Sequence, residues 1–298
     1  MRFRGGSRAE GAGAAGARPA IGALLVAAML VAACGSGTAG VTGGATPAAS
    51  AAAPSATTAA AGVPLTVYGA ASLKAALTKV AQAYATAVPG ATMTVSTDSS
   101  AALETQIEQG APADVFLSAD TTNPQKLVDK SLASGAVVPF AGNLLTVIVP
   151  TANPAGVTSP ADLAKPGLKV IAAGDAVPIT KYASQLVANL AKEAGYPSSF
   201  AAGYAANVVS KEDNVSAVVS KIALGEGDAA IVYVTDAKTS TQVTSIAVPV
   251  DANVPATYGG VVVKASPNQA AAAAFLAWLA GPDGQAILAS FGFLSPPA

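Results

Sequence analysis

Apolar positions fall into short continuous runs that alternate with stretches of helical period. Residues 64–68 (Pro-Leu-Thr-Val-Tyr) read as a buried strand. Ser72 then precedes Leu73, Leu77, Val80 and Tyr84, a 3.6-residue period with Ser72 in the place of an N-cap. Residues 92–96 predict a second strand. Ser99 and Ser100 stand before a short helix carrying Leu103 and Ile107, which Gly110 closes. Strands are predicted at 114–118 and 144–149, with a helix near 124–132 between them. Ser159-Pro160-Ala161-Asp162 has the form of a helix start: a Ser cap, Pro at the first position, an acid in the first turn. A strand at 169–172 leads to Val177-Pro178 and an amphipathic helix through Tyr182, Leu186, Leu190 and Ala194. Asn214 caps a helix bearing Val215, Val218, Val219 and Ile222. Strands follow at 229–234 and 260–264, and a last helix at 269–279 puts Phe275 and Leu279 on one face. Strands separated by helices predict βαβ units, hence an α/β fold with mostly parallel sheets covered on both faces.

The first 62 residues follow a different pattern. Residues 1–18 are basic, and residues 20–33 form an apolar run, too short to span a bilayer, which needs about 20 residues. The run ends in Val31-Ala32-Ala33-Cys34-Gly35, which resembles the cleavage box of bacterial lipoproteins. By that resemblance Cys34 carries the lipid and becomes the mature N-terminus. Residues 35–62 hold no charge and are almost wholly Gly, Ala, Ser, Thr and Pro. Such a stretch buries too little apolar surface to offset its ordering entropy and reads as a tether. The expected organisation is a signal peptide at 1–33, a tether at 34–62, and a body outside the cytoplasmic membrane, anchored to its outer face.

Composition narrows the chemistry. The 298 residues include one Cys and no His. Triads and dyads that use imidazole, and zinc sites that use His or several thiolates, are excluded. All four Arg lie in the first 18 residues, so the body has no guanidinium fork for phosphate, carboxylate or guanine. Without those Arg and Glu10, the mature chain has 12 Lys against 16 acids, a net charge near −4. With no basic block, nucleic acid is not an expected partner.

What remains is a recurring unit of strand, short loop, small or hydroxyl residue, then helix. It occurs at Ser72, Ser100, after Pro178 and after Asn214. Ligands of open α/β sheets lie outside the carboxyl ends of strands, where helix starts offer free N–H groups and the positive end of the dipole. Four such starts converging would hold an anion without any formal positive charge. Each taken alone is an ordinary cap.

The order of the motifs adds to this. Tyr68-Gly69-Ala70-Ala71-Ser72-Leu73 is followed by Ser99-Ser100 running through Gln109-Gly110-Ala111-Pro112-Ala113-Asp114 to Ala119-Asp120. Val177-Pro178, Glu212-Asp213-Asn214-Val215 and 227–236 (Gly-Asp-Ala-Ala-Ile-Val-Tyr-Val-Thr-Asp) come next, then Gly281-Pro282-Asp283-Gly284-Gln285 and Phe291-Gly292-Phe293. Over about residues 63–295 this resembles the molybdate-binding components of ABC importers, which are type II periplasmic binding proteins.

The resemblance implies a two-lobed fold with the ligand cleft between lobes. Lobe I would combine 63–143 with 250–298, and lobe II would comprise 144–249. It implies a tetrahedral oxyanion, molybdate or tungstate, held by neutral donors: Ser72 and Ser100 from one lobe, and the N–H groups of Ile179 and Val215 with the hydroxyl of Tyr233 from the other. Molybdenum would be bound only as its oxyanion, with no direct protein–metal ligand and no other cofactor. The partners implied are an ABC permease with its ATPase, and the membrane through Cys34; the protein would act as a monomer. Molybdate at neutral pH accepts hydrogen bonds and donates none, so a site of donors suits it, whereas a protonated phosphate would set its O–H against donors.

Three positions bear on specificity. The family usually has a small residue and Gly after Val-Pro, where this chain has Ile179-Thr180-Lys181-Tyr182, and Ile179 and Lys181 can alter pocket shape or potential. Asp98, directly before Ser99, would repel a dianion if it faced the pocket and would be a loop acid or cap if it did not. Asp114 and Asp120 flank a strand and are expected to pair with Lys or to cap. Sulfate and phosphate stay open as alternative ligands. An enzyme with a Ser nucleophile is the remote alternative: the base would have to be Lys74 or Lys181, and Lys74 lies only two residues from Ser72 and faces elsewhere.

Overall fold

The structure is a computed structural model and describes residues 62–296. The signal peptide, Cys34 and all but the last residue of the tether lie outside the described residues.

Strand β1 (Pro64–Ala70) buries Leu65 and Val67 and runs parallel to β2 (Thr92–Asp98) and β3 (Val115–Ser118). The helix between β1 and β2, α1 (Lys74–Ala87), buries Ala76, Leu77, Val80 and Tyr84, the positions its period selects. Each fully buried side chain of this kind contributes roughly 1.5–3 kcal/mol. Helix α2 (Ser100–Glu108) joins β2 to β3 and ends near Gly110, whose φ of +88° suits a residue without Cβ. After β3 come α3 (Thr122–Asp129) and the long β4 (Ala133–Asn143).

Leu144 alone separates β4 from β5 (Leu145–Pro150), and here the chain leaves the first sheet for a second. The second sheet is built from β5, β6 (Val170–Ala173), β7 (Val208–Glu212), β8 (Ala230–Tyr233) and β9 (Val243–Ile246). Its helices are α4 (Pro178–Leu190), α5 (Phe200–Asn207), α6 (Val215–Ala223) and the short α7 (Val234–Ala237). The chain then returns to the first sheet as β10 (Ala256–Val263), and α8 (Gln269–Ala280) and α9 (Pro282–Ser290) close the body.

The first sheet has the order β2-β1-β3-β10-β4. In the second, β8-β5-β9 and β6-β7 join through a parallel bridge between Val170 and Ala229, giving β7-β6-β8-β5-β9. The two orders match, and so do the directions. Four strands of each sheet run the same way, as expected, and one runs against them: β10 is antiparallel to β3 and β4, and β5 is antiparallel to β8 and β9. These are the strands that have just crossed between sheets, so each enters its sheet from the opposite end to the βαβ strands.

The helix starts also differ in detail. Ser72 is not an N-cap; it sits in a 3₁₀ turn (Ala71–Leu73) ahead of α1, and its hydroxyl bonds elsewhere. Ser159 begins only a 3₁₀ segment, Pro160–Ala164, where the Asp162 carboxylate accepts from the Thr158 and Ser159 N–H groups. The central strands β3, β5 and β8 are buried at every residue. Tyr84 meets Phe275 and Trp278 edge-on, with centroids 5.0 and 5.2 Å apart, which places Trp278 in the packing of α8 on α1. Among the described residues no helix is long and apolar enough to cross a membrane.

Candidate oxyanion site

Both sheets deliver their helix starts to one place. Leaving β1, the 3₁₀ turn holds Ser72; leaving β2, Ser99 caps α2 by accepting from the Ala102 N–H at 3.2 Å, and Ser100 is the first helical residue. From the second sheet, β6 leads to Val177 and Pro178, with Ile179 second in α4. Strand β7 leads to Asn214, which caps α6 by accepting from the Ala217 N–H at 3.0 Å, and Val215 is first in α6. The N–H groups of Ser100, Ile179 and Val215 are among the helix-start donors that have no intrahelical acceptor. Pro178 has no N–H, so Ile179 supplies the first free donor of α4.

Ser72, Ser100, Ile179, Val215 and Tyr233 all line one chamber, with Ala70, Ala71, Ser99, Ala119, Val177 and Pro178 completing the wall. The chamber is small, with room for about one water molecule. A larger hollow of about 620 Å³ lies beside it, between α1 and α6, with Lys74 and Thr78 on its wall. It contains none of the α2 or α4 helix starts and is a gap between lobes.

The hydroxyls around the chamber have defined surroundings. Ser100 Oγ accepts from the Ala119 N–H at 3.0 Å. Ser72 Oγ lies 2.9 Å from Tyr258 Oη, which also receives Asn143 Nδ2 at 3.2 Å; the same Asn143 amide donates to Thr235 Oγ1 at 2.8 Å. Tyr233 is fully buried and its hydroxyl has no hydrogen-bond partner. Burial pushes the phenols of Tyr233 and Tyr258 well above their ordinary value, so both stay protonated and able to donate.

Asp98 does not line the chamber. Its Oδ1 accepts from the Ser99 N–H at 2.7 Å and from Asn214 Nδ2 at 2.9 Å, so one carboxylate oxygen ties the two walls together. Lys181 and Asp213 are exposed, and Glu212 is paired with Lys221 at 2.9 Å. Asp114 lies at the opposite end of the first sheet, where it takes hydrogen bonds from the Thr66 N–H and the Ser266 hydroxyl. Asp120 accepts from Ser118 and from the Asn123 N–H in the first turn of α3. Among the described residues neither forms an ion pair with a Lys. Among the described residues no group of three or more side chains is placed to hold a metal ion.

Sequence reasoning missed Tyr258 and Asn143. Neither stands at a helix start or in a motif of chemistry. Tyr258 lies in an apolar strand and reads as core.

The profile of the bacterial extracellular solute-binding proteins matches residues 65–294. The molybdate-binding protein ModA of Mycobacterium tuberculosis strain H37Rv is 34% identical over 233 residues, covering 78% of this chain and 85% of that protein. ModA of Haemophilus influenzae is 32% identical, covering 78% and 91%. The periplasmic molybdate-binding protein of Azotobacter vinelandii superposes with a TM-score of 0.66 at 25% identity, over 78% of this chain and all of that one. The matched profile spans both sheets and every residue of the chamber, and the chain belongs to the bacterial extracellular solute-binding protein family.

Proposed function

We propose that this protein captures molybdate, or tungstate, between its two lobes outside the cytoplasmic membrane and delivers it to an ABC permease and its ATPase. The observation that carries this reading is the Tyr233 hydroxyl, buried, protonated and without a partner in a chamber lined by helix starts from both sheets. A buried polar group left unpaired is costly, and an anion oxygen would satisfy it. Ser72, Ser100 and the N–H groups of Ile179 and Val215 would supply the remaining donors. The names of the mycobacterial and Haemophilus relatives favour molybdate as the anion.

In this reading lobe I is formed by 63–143 with 250–298 and lobe II by 144–249. They close on the anion by rotation about the two crossings of the chain. The protein is a carrier without catalysis of its own, works as a single chain, and is held to the membrane by a lipid on Cys34. Calorimetric titration of the chain with molybdate, tungstate, sulfate and hydrogen phosphate tests the assignment. Tight binding of molybdate and tungstate is expected. Silence with both would refute it, and hydrogen phosphate displacing molybdate at neutral pH would change the ligand.

A further inference from the structure

We infer that Tyr258 sets the hydrogen-bond polarity of the oxyanion chamber: by donating to Ser72 it compels the serine to turn its own proton toward the ligand, and so discriminates against protonated oxyanions. The inference rests on the reading of the chamber given under Proposed function.

The direction of each bond follows from counting protons. Asn143 Oδ1 accepts from the Leu144 N–H at 3.0 Å, which fixes which end of the amide is oxygen. The Nδ2 end, which can only donate, then gives one proton to Thr235 Oγ1 and one to Tyr258 Oη. Tyr258 has a single proton left to place. It is fully buried, and the acceptor beside it is Ser72 Oγ. If Ser72 donated instead, the phenol proton would be left unpaired in a dry interior. So Asn143 donates to Tyr258, Tyr258 donates to Ser72, and the serine proton takes the remaining direction, into the chamber that Ser72 lines. Ser100 is turned the same way by the Ala119 N–H.

A bare dianion presents only acceptors to these donors. Hydrogen phosphate presents one O–H, which meets a donor. Tyr258 is thus a positioning residue that acts through Ser72.

The experiment compares wild type, Tyr258→Phe, Ser72→Ala and the double variant by titration with molybdate and with hydrogen phosphate. The phenylalanine ring keeps its place among Phe140, Tyr233 and Phe293, whose centroids lie 6.1, 5.7 and 5.4 Å away, and thermal unfolding checks that the fold is kept. Tyr258→Phe should lower the ratio of molybdate to hydrogen phosphate affinity about tenfold. Adding it to Ser72→Ala should change the ratio little, because the route through the serine is already gone. An unchanged ratio in Tyr258→Phe, or effects that simply add in the double variant, overturns the proposal while molybdate binding by the wild type stands. A wild type that takes no oxyanion refutes the reading of the site and this inference with it.

Discussion

Replacing Tyr233 by Phe should move stability and affinity in opposite directions. Without ligand the Tyr233 hydroxyl is buried and unpaired, a state that costs about 1–3 kcal/mol. Deleting one oxygen removes that penalty and leaves the ring against Tyr182 and Tyr258, at 6.3 and 5.7 Å between centroids. The free variant should therefore melt with, or about 2–12 °C above, the wild type. With molybdate bound, the same oxygen donates to a charged acceptor, worth about 1.5–3 kcal/mol, so the dissociation constant should weaken by roughly 10- to 150-fold. Thermal melts with and without ligand read both effects. At 100 times the wild-type dissociation constant, the wild type gains about 2.7 kcal/mol from the ligand and the variant at most about 1.4. The variant's lead in stability, read from the melts, should shrink by about 1.3 kcal/mol or more on adding molybdate. A variant that melts lower without ligand and binds molybdate as the wild type does would refute the reasoning, because the hydroxyl would then have a structural partner and no ligand.

Asp98→Asn keeps the acceptor for the Ser99 N–H and the Asn214 amide while removing a negative charge beside the chamber. Molybdate should bind roughly two- to tenfold tighter at low salt, with the gain fading toward molar salt; calorimetry across a salt series that shows no gain contradicts this. Burial lifts the Asp236 carboxyl to about 8, against a smaller opposing hydrogen bond from the Tyr233 backbone. The folded protein thus keeps a proton that the unfolded chain releases near 4, and stability falls as pH rises from about 4 to about 8. Urea unfolding at a series of pH values should show that slope reduced in Asp236→Asn, and equal slopes would refute it. At Gly284 a Cβ would press into the backbone of Leu279, which cannot yield as a side chain can. Gly284→Ala should cost about 2–3 kcal/mol in chemical denaturation, and a neutral effect would show that the turn between α8 and α9 adapts.

Helices α1, α4 and α6 were legible because each repeats large apolar residues at helical spacing, and α4 and α6 also begin at a recognisable Pro or Asn start. Helix α5 was not, since Phe-Ala-Ala-Gly-Tyr-Ala-Ala-Asn has little contrast between its faces and a glycine at its centre, Gly203, which packs closely on Ala164. Strand β4 hid behind Gly135 and Pro139, and β7 behind its alternating half-buried pattern. The five residues carried over by motif converge on one chamber because strand ends and helix starts are local features, and the sheet order brings them together. Tyr258 and Asn143 were invisible for the opposite reason. Their contacts with Ser72 and Thr235 span between 92 and 186 residues, and no local pattern encodes a proton's direction across that distance. Antiparallel β10 and β5 were missed because direction depends on where the chain crosses, which periodicity does not record.

The bond from Asn214 to Asp98 bears on time as well as geometry. A carrier has to let go, and its residence time must be short enough for a permease to be supplied. When the walls part, the Asn214 amide leaves with α6, and the Asp98 carboxylate keeps only its bond to the Ser99 N–H. The charge that was shared between two walls then faces the departing dianion from one of them. Under the proposed closure, opening the cleft would therefore add repulsion toward the departing dianion. A single carboxylate oxygen just outside the chamber would thus couple release to opening.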